Sequence, residues 1–505
     1  MLPCASGRLA LVLWAGMGPA CSDGASSPSP AGELARPQAP PAAGRLSAPP
    51  TIVLITLDTL RREHLGCYGY FRPTSPHIDA LAGDALLFER ALASMASTLP
   101  SHLTLLTGLY PHQHGMTSNR RAASVSFTSE LGRLSAADVL RRRGYRTAGF
   151  VSAVPLAPTT GIHVGFETYS SPEQGSNLRA GERNEAVLAW LDEHAGEAGP
   201  FFLWVHYFDP HEPNDPLPPY DAMFTTDGLQ REWIRARRID PRALTARYEE
   251  SSRIQDQFLP SGPSDPRRAA ISLERIADLM NRYDGEVRYM DDRIGELLDA
   301  LRRHGRFEDS IIVVVGDHGQ SLGEDDRLGH GTISNVNTFV PLIVRLPAAI
   351  APPPQRIDAL VSLADVLPTL MARFELPGSE LLLGQFEGED VLAGDFARDQ
   401  AMVERSADEV RNTRTGRELA LLTRRWKFLR RADGKDELYD LAGAGEYVDV
   451  LARQPEVAAG LRAEMDAILA RKPALLDDER VGPEDVELLQ GLEDLGYVGG
   501  DEQEE

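Results

Sequence analysis

Short apolar runs alternate with stretches of helical periodicity along most of the chain. TIVLITL (51–57), TAGFVSA (147–153), FFLWVHY (201–207), SIIVVVG (310–316) and VPLIVRL (340–346) are rich in β-branched or aromatic residues and continuous rather than alternating. Strands covered on both faces read this way. Ahead of the fourth run, Tyr283, Val287, Met290, Ile294, Leu297 and Leu301 recur at steps of three and four, which marks the buried face of a long helix. The alternation predicts an α/β fold, a central and mostly parallel sheet flanked by helices. No repeat of solenoid period interrupts it.

The pattern changes at three places. From 214 to 272 the chain is polar, charged and rich in Pro and Arg, with no strand signal; it reads as an insertion beside the site, with a lid as its expected role. Past residue 390, QAMVERS, ELALLTRR, WKFLRR and ELYDL form short strands followed by a helix over about 454–470. They predict a smaller carboxyl-terminal α+β subdomain over 391–475, after a main α/β domain over 50–390. Residues 476–505 are an acidic, solvated tail. At the other end Arg8 precedes the apolar run LALVLWAGM (9–17), and Gly18, Pro19 and Ala20 lead to Cys21. At nine residues this run is too short to cross a bilayer, and residues 1–20 have the form of an export signal. Cys21, between Ala20 and Ser22, resembles the modified cysteine of a bacterial lipoprotein. Acylation with membrane anchoring and plain secretion both stand as expectations, so the protein is expected in the periplasm, at the outer membrane or outside the cell. Residues 21–49 are mostly Ser, Pro, Ala and Gly, bury too little apolar surface to offset their ordering entropy, and read as a tether.

Composition narrows the function. With 52 basic and 75 acidic side chains the formal charge is −23 over 505 residues, which disfavours a sequence-independent grip on nucleic acid. At 42% hydrophobic and 25% charged residues, the chain has material for a large core. Its three cysteines, Cys4, Cys21 and Cys67, build neither a disulfide framework nor a structural zinc cluster. Cys67, in GCYGY, reads as a small buried apolar side chain.

Ligands of an open α/β sheet collect at the carboxyl ends of its strands. There the first run delivers Asp58, the third delivers His206, Asp209 and His211 in HYFDPHEP, the fourth delivers Asp317 and His318 in GDHG, and His330 follows in LGHG. In STLPSHLTLLTG, Thr98 precedes a helix expected to start near Ser101, where unpaired N–H groups suit an anion. Taken singly, Asp58 and Thr98 read as helix caps, Asp317 with His318 as a loop network, and His206 with His211 as packing groups. Together, carboxylates and imidazoles on separate strand ends are what a hard or borderline divalent ion requires.

The order VLITLDTLRREHLGCYGY, TLPSHLTLLTGLYPHQHG, HYFDPHEP, VVVGDHGQSLGE, LGHG and VPLIV resembles the sulfatase-like branch of the alkaline phosphatase superfamily. The resemblance runs from about residue 50 to 370 and continues more weakly through WKFLRRADGKDELYDL. It implies that fold, an ester hydrolase, and an anionic ester of a small molecule, glycan or lipid headgroup as substrate. It also implies that Asp58, Asp317 and His318 hold one divalent ion (Zn²⁺, Mn²⁺, Ca²⁺ or Mg²⁺), with Thr98 Oγ1 as a further ligand. Thr98 is then the nucleophile, His211, His330 and Asn119 stabilise charge on the substrate oxygens, and Ser101, His102 and His206 contact substrate. A second ion is allowed, with His206 and Asp209 either forming its site or orienting His211.

Two departures matter. Sulfatases of this kind read CxPSR or SxPSR, with the first residue converted to formylglycine; here Thr98 holds that place and His102 that of the arginine. Oxidation of a threonine would leave a ketone rather than an aldehyde, so no formylglycine is expected. The partner of Asp58 is Thr59 where sulfatases usually carry a second aspartate. Both departures favour a phosphodiester or phosphonate monoester as substrate, attacked by Thr98. Sulfate-ester hydrolysis, phosphoryl transfer to a lipid or glycan hydroxyl, and an inactive module binding anionic glycans or lipids are the competing readings.

Overall fold

Continuous apolar strands need cover on both faces, and the chain supplies it around one eight-stranded sheet. A computed structural model describes residues 46, 48–119, 135–173, 176–248, 270–373, 387–393, 396, 398–405, 417–443 and 445–471. The export signal, Cys4, Cys21, the acidic tail and nearly all of the tether lie outside the described residues. The strands are β1 (Thr51–Leu57), β2 (Leu86–Leu92), β3 (Arg146–Phe150), β4 (Thr168–Ser170), β5 (Phe201–Tyr207), β6 (Ser310–Gly316), the short pair β7 (Ser321–Leu322) and β8 (Leu328–Gly329), β9 (Phe339–Arg345) and β10 (Gln355–Ser362). The order across the main sheet is β10-β2-β9-β6-β1-β5-β3-β4. Only β9 runs against its neighbours, pairing antiparallel with β2 and β6; the other pairings are parallel.

Side chains of β1 alternate between two cores. Ile52 and Leu54 enter one cluster, and Val53, Ile55 and Leu57 the other, the period of two that a pleated strand imposes. The second cluster also takes Tyr283, Val287, Met290, Ile294, Leu297 and Leu301 from the Leu273–Arg303 helix, all fully buried, as their spacing predicts. Ser272 caps that helix by accepting the Arg275 N–H.

Two strands were illegible as apolar runs. β2 carries Glu89 and Arg90 in its middle, and β10 carries Arg356 and Asp358, so neither is continuous. β3 stops at Phe150 rather than 153, because Ser152 N–H turns out of the ladder to donate to His206 Nδ1 at 3.2 Å. Strands β11 (Gln400–Arg405), β12 (Glu418–Thr423), β13 (Trp426–Arg430) and β14 (Asp436–Asp440) form a separate antiparallel sheet. The Pro455–Ala470 helix buries Ala458, Leu461 and Met465 against it. Within 214–272, the helices Gly228–Ala236 and Pro241–Tyr248 pack Ile234, Leu244 and Tyr248 into the second core cluster; residues 249–269 lie outside the described residues. Cys67 is half-buried, and burial followed by the Asp79 charge pushes its thiol up, away from reactivity. Among the described residues no helix is long and apolar enough to cross a membrane.

Candidate functional site

The three central parallel strands β6, β1 and β5 end together, and their ladder continues by one bond on each side of β1. Asp58 N–H donates to Tyr207 O at 3.0 Å, and Asp317 N–H donates to Leu57 O at 3.1 Å. These bonds set Asp58 and Asp317 side by side, both fully buried. Thr59 follows with φ +52°, a left-handed conformation that is strained for a β-branched residue. It aims the Thr59 N–H at Asp317 Oδ1, 3.2 Å away, which also accepts the His318 N–H at 2.6 Å. Asp317 Oδ2 is left 3.6 Å from His318 Nε2, which lies 3.8 Å from Asp58 Oδ1.

Thr98 opens the Thr98–Thr107 helix, and Ser97, not Thr98, stands at the cap position. The helix start is tied to the backbone of Asp317. Ser101 Oγ donates to the Asp317 carbonyl at 2.6 Å, and His102 Nδ1 lies 2.7 Å from the Thr98 carbonyl and 3.7 Å from Asp317 Oδ2. Asn119 Oδ1 accepts the Leu99 N–H at 3.0 Å, so its NH₂ is the group it can offer a substrate. Both carboxylate oxygens of Asp58, Asp317 Oδ2, His318 Nε2 and Thr98 Oγ1 are buried with no hydrogen-bond partner among the described residues. A buried oxygen or imidazole left so is costly, and a divalent cation would satisfy the set. Burial first, then the charges of Asp317 and Glu212, push the Asp58 carboxyl well above the usual range, and burial does the same to Asp317. Burial, then His330, holds His318 well below the usual imidazole range. Neutral His318 is the form that ligates a metal.

Hydrogen bonding sorts the imidazoles. His206 Nδ1 accepts the Ser152 N–H, which places the ring proton on Nε2, 3.4 Å from Asp58 Oδ2. That tautomer points an N–H rather than a lone pair toward Asp58. His102 donates to the Thr98 carbonyl through Nδ1, and its Nε2 meets Thr56 Oγ1 at 3.0 Å; that hydroxyl also accepts the Trp204 indole N–H at 3.0 Å. Burial lowers the His102 pKa to about 4, so the ring is neutral. Ser101, His102 and His206, expected to contact substrate, are hydrogen-bonded respectively to the Asp317 carbonyl, to the Thr98 carbonyl and Thr56 Oγ1, and to the Ser152 N–H. Asp209 is also bonded: Oδ2 accepts the Ala180 N–H at 2.8 Å and the carboxyl bonds Glu286. These bonds occupy His206 Nδ1 and Asp209 Oδ2.

His211, Glu212 and His330 lie opposite. His211 stacks on Phe208 with ring centroids 4.6 Å apart, and its ring stands 5.1 Å from His330, which stands 4.7 Å from His318. Glu212 passed unnoticed in the sequence; its signal was a carboxylate directly after a site imidazole in DPHEP.

The sequence profile described as Sulfatase matches residues 50–376. The chain belongs to the sulfatase family. With that comes the scaffold of the alkaline phosphatase superfamily. Human N-sulphoglucosamine sulphohydrolase is 29% identical over 315 residues, 62% of this chain and 58% of that protein. N-acetylgalactosamine-6-O-sulfatase of Bacteroides thetaiotaomicron is 25% identical over 501 residues, 85% of this chain and 94% of that protein. In fold, the chain is similar to the phosphonate monoester hydrolase of Agrobacterium radiobacter, with a TM-score of 0.64 and 21% identity over 84% of this chain and 96% of that one. Against the sulfatase pattern, Thr98 and Thr59 put hydroxyls at two places where an aldehyde precursor and a carboxylate are usual.

Proposed function

We propose that this sulfatase-family member hydrolyses a phosphodiester or phosphonate monoester through a covalent intermediate on Thr98. The observation that carries the reading is the Thr98 hydroxyl itself: fully buried, at the start of a helix bonded to Asp317, and without a hydrogen-bond partner among the described residues. Asp58, Asp317 and His318 would hold a divalent cation. Bound there, such an ion acidifies an oxygen ligand, as zinc takes water from 15.7 to about 7, and neutralises the paired carboxylates. His102 fixes the Thr98 carbonyl, and His206 turns Nε2 toward Asp58 Oδ2, 3.4 Å away. Thr98 Oγ1 forms a bond to phosphorus while the bond to the leaving alcohol breaks, and the hydroxyl proton ends on that alcohol. Water then cleaves the phosphothreonine, restoring the hydroxyl and releasing the acid. Asn119, His211 and His330 stabilise charge on the remaining oxygens; loss of one well-placed donor costs about 10² to 10³ in turnover.

Threonine favours phosphorus over sulfur, since it cannot supply the aldehyde hydrate through which sulfatases expel sulfate. The named sulfatases among the relatives favour sulfate esters as the second reading. Parallel assays of a nitrophenyl phosphodiester, a phosphonate monoester and a nitrophenyl sulfate on wild type and Thr98→Ala decide between them. The expected result is turnover of a phosphorus ester that Thr98→Ala abolishes; sulfate turnover exceeding it tenfold, or full activity in Thr98→Ala, rejects the proposal. The substrate is an anionic ester of a small molecule, glycan or lipid headgroup, met outside the cytoplasm through the amino-terminal export segment. Palmitate labelling that depends on Cys21 tests the membrane anchor.

A further inference from the structure

We infer that the cavity between the β7–β8 hairpin and the carboxyl-terminal sheet is a site for an anionic group, a carboxylate or sulfate, separate from the place where the ester reacts. The cavity measures about 230 Å³; at about 30 Å³ per water it admits a group of many atoms. Asp325, Arg327 and residues 332–334 line it from the main domain, and Arg405, Glu418 and Arg431 line it from the smaller sheet. No residue assigned above to the metal, the nucleophile or the substrate oxygens is among its walls. Arg327 and Thr332 flank His330 in the chain, so the cavity adjoins the loop that serves the reacting site.

Three guanidiniums line this space, and their counter-charges are already shared. Glu418 Oε2 accepts Arg405 Nη1 at 2.7 Å and stands 3.7 Å from Arg431 Nη1, so one carboxylate serves two cations. Arg431 completes its pairing with Glu437 at 2.6 Å. Arg405 is 8% exposed, and its Nε is buried with no hydrogen-bond partner among the described residues. The Arg327 side chain has neither an ion pair nor a hydrogen bond among the described residues, and burial, then the charges of Arg247 and Arg405, hold its pKa below the usual guanidinium value. Of the other lining carboxylates, Glu446 bonds Lys427, and Asp325 is exposed. A half-buried cation set beside cations is costly, and an anion held by Arg327 and Arg405 would satisfy both.

The donors select the ligand. A guanidinium offers a planar fork of N–H groups that matches the paired oxygens of a carboxylate or a sulfate, and here it does so on a chain whose formal charge is −23. Such a group has two sources, a second acidic group on the substrate itself or a free anion bound beside it. In the first case the inference deepens the phosphoester reading and rests on it; the site itself needs only the guanidiniums.

The test measures binding before turnover. The full chain, as wild type and as Arg327→Gln, is titrated by calorimetry with sodium gluconate and with sodium sulfate. Wild type should bind gluconate, and Arg327→Gln should weaken that binding at least ~10-fold, the loss of one charge-assisted hydrogen bond. Without added anion the variant should melt no lower than wild type, because it removes a cation that faces cations; a drop would show a structural role and overturn the inference. Should Arg327→Gln fail to fold by circular dichroism, Arg327→Lys, which keeps the charge and loses the fork, should weaken binding in the same direction. No binding of either anion to wild type, or equal affinity in wild type and variant, also overturns it. Kinetics separate the two sources. A KM advantage of a carboxylate-bearing phosphodiester over one with neutral alcohols, removed by Arg327→Gln, assigns the group to the substrate; equal KM values with gluconate binding intact assign it to a free anion. Arg327-dependent binding without hydrolysis of any ester leaves the site standing and removes the hydrolase reading, and Thr98-dependent hydrolysis without anion binding does the reverse.

Discussion

The relay behind the nucleophile allows a quantitative test. Thr56 Oγ1 bridges two buried groups, accepting the Trp204 indole N–H and meeting His102 Nε2, each at 3.0 Å. All three residues are fully buried. Thr56→Val keeps the shape and removes the hydroxyl, leaving the indole N–H and the imidazole nitrogen without partners. An orphaned buried polar group costs about 1–3 kcal/mol, so the expected loss is about 2–4 kcal/mol. Thr56→Ser keeps the hydroxyl and loses a methyl, for about 1 kcal/mol. Urea unfolding of both variants measures the difference. A double-mutant cycle with Trp204→Phe sharpens it, because the second change removes the orphaned indole donor. The double variant should be more stable than the sum of the single losses by about 1 kcal/mol. With His102 no longer locked on the Thr98 carbonyl, kcat for the hydrolysed ester should fall while KM holds. A Thr56→Val loss no larger than that of Thr56→Ser, with an additive cycle, would refute the relay.

Other consequences follow from the same network. Burial, then the Asp209 charge, raises the Glu286 carboxyl to about 9. Its stabilising contribution is complete below the ordinary carboxylate pKa and is lost as pH rises toward 9, so Glu286→Gln should melt higher than wild type near pH 8 and no higher near pH 4. Lys427 is fully buried and bonds the Ile333 carbonyl, Asn335 Oδ1 at 3.1 Å and Glu446. Lys427→Met leaves these uncompensated, and unfolding should show a loss of about 3–5 kcal/mol, with reduced turnover because the same loop carries His330. Chelation should lower the melting temperature reversibly, since an ion at 100 times its Kd adds about 2.7 kcal/mol; calorimetry showing no shift would argue against metal at Asp58, Asp317 and His318.

Much of this was legible in the sequence because the chemistry sits where the strongest patterns end. β1, β5 and β6 are the three most continuous apolar runs, and each ends on or just before site residues. β2 and β10 were not legible, since their central charges pair across strands: Arg90 Nε bonds Asp358 Oδ1 at 2.5 Å. The direction of β9 was equally hidden, because an apolar run carries no arrow. Within the site the residue set was readable and the division of labour was not. Ser101, His102 and His206 have the chemistry of substrate contacts, and their bonds to Asp317, Thr56 and Ser152 could not be read from the sequence. Glu212 was missed because a carboxylate beside an anion-binding imidazole makes sense only once His330, far along the chain, is brought to it.

Backbone groups, more than side-chain identity, decide what each imidazole does here. The same residue type faces one centre five times, as His102, His206, His211, His318 and His330. A ring whose Nδ1 meets an amide N–H carries its proton inward, toward a carboxylate. Rings whose Nδ1 meets a carbonyl present a lone pair inward, except His102, whose Nε2 is taken by Thr56. Ser152 supplies the amide for His206, and Glu212, Gly319 and Ala96 supply carbonyls for His211, His318 and His330. These donors and acceptors are fixed by where β3, β5, β6 and the Thr98 helix begin and end. An added Cβ at Gly319 would land on the Val336 carbonyl, displacing the loop and with it the carbonyl that holds His318 in its ligand form. The fold thus sets protonation by the placement of strand ends, and the metal chemistry follows from that placement.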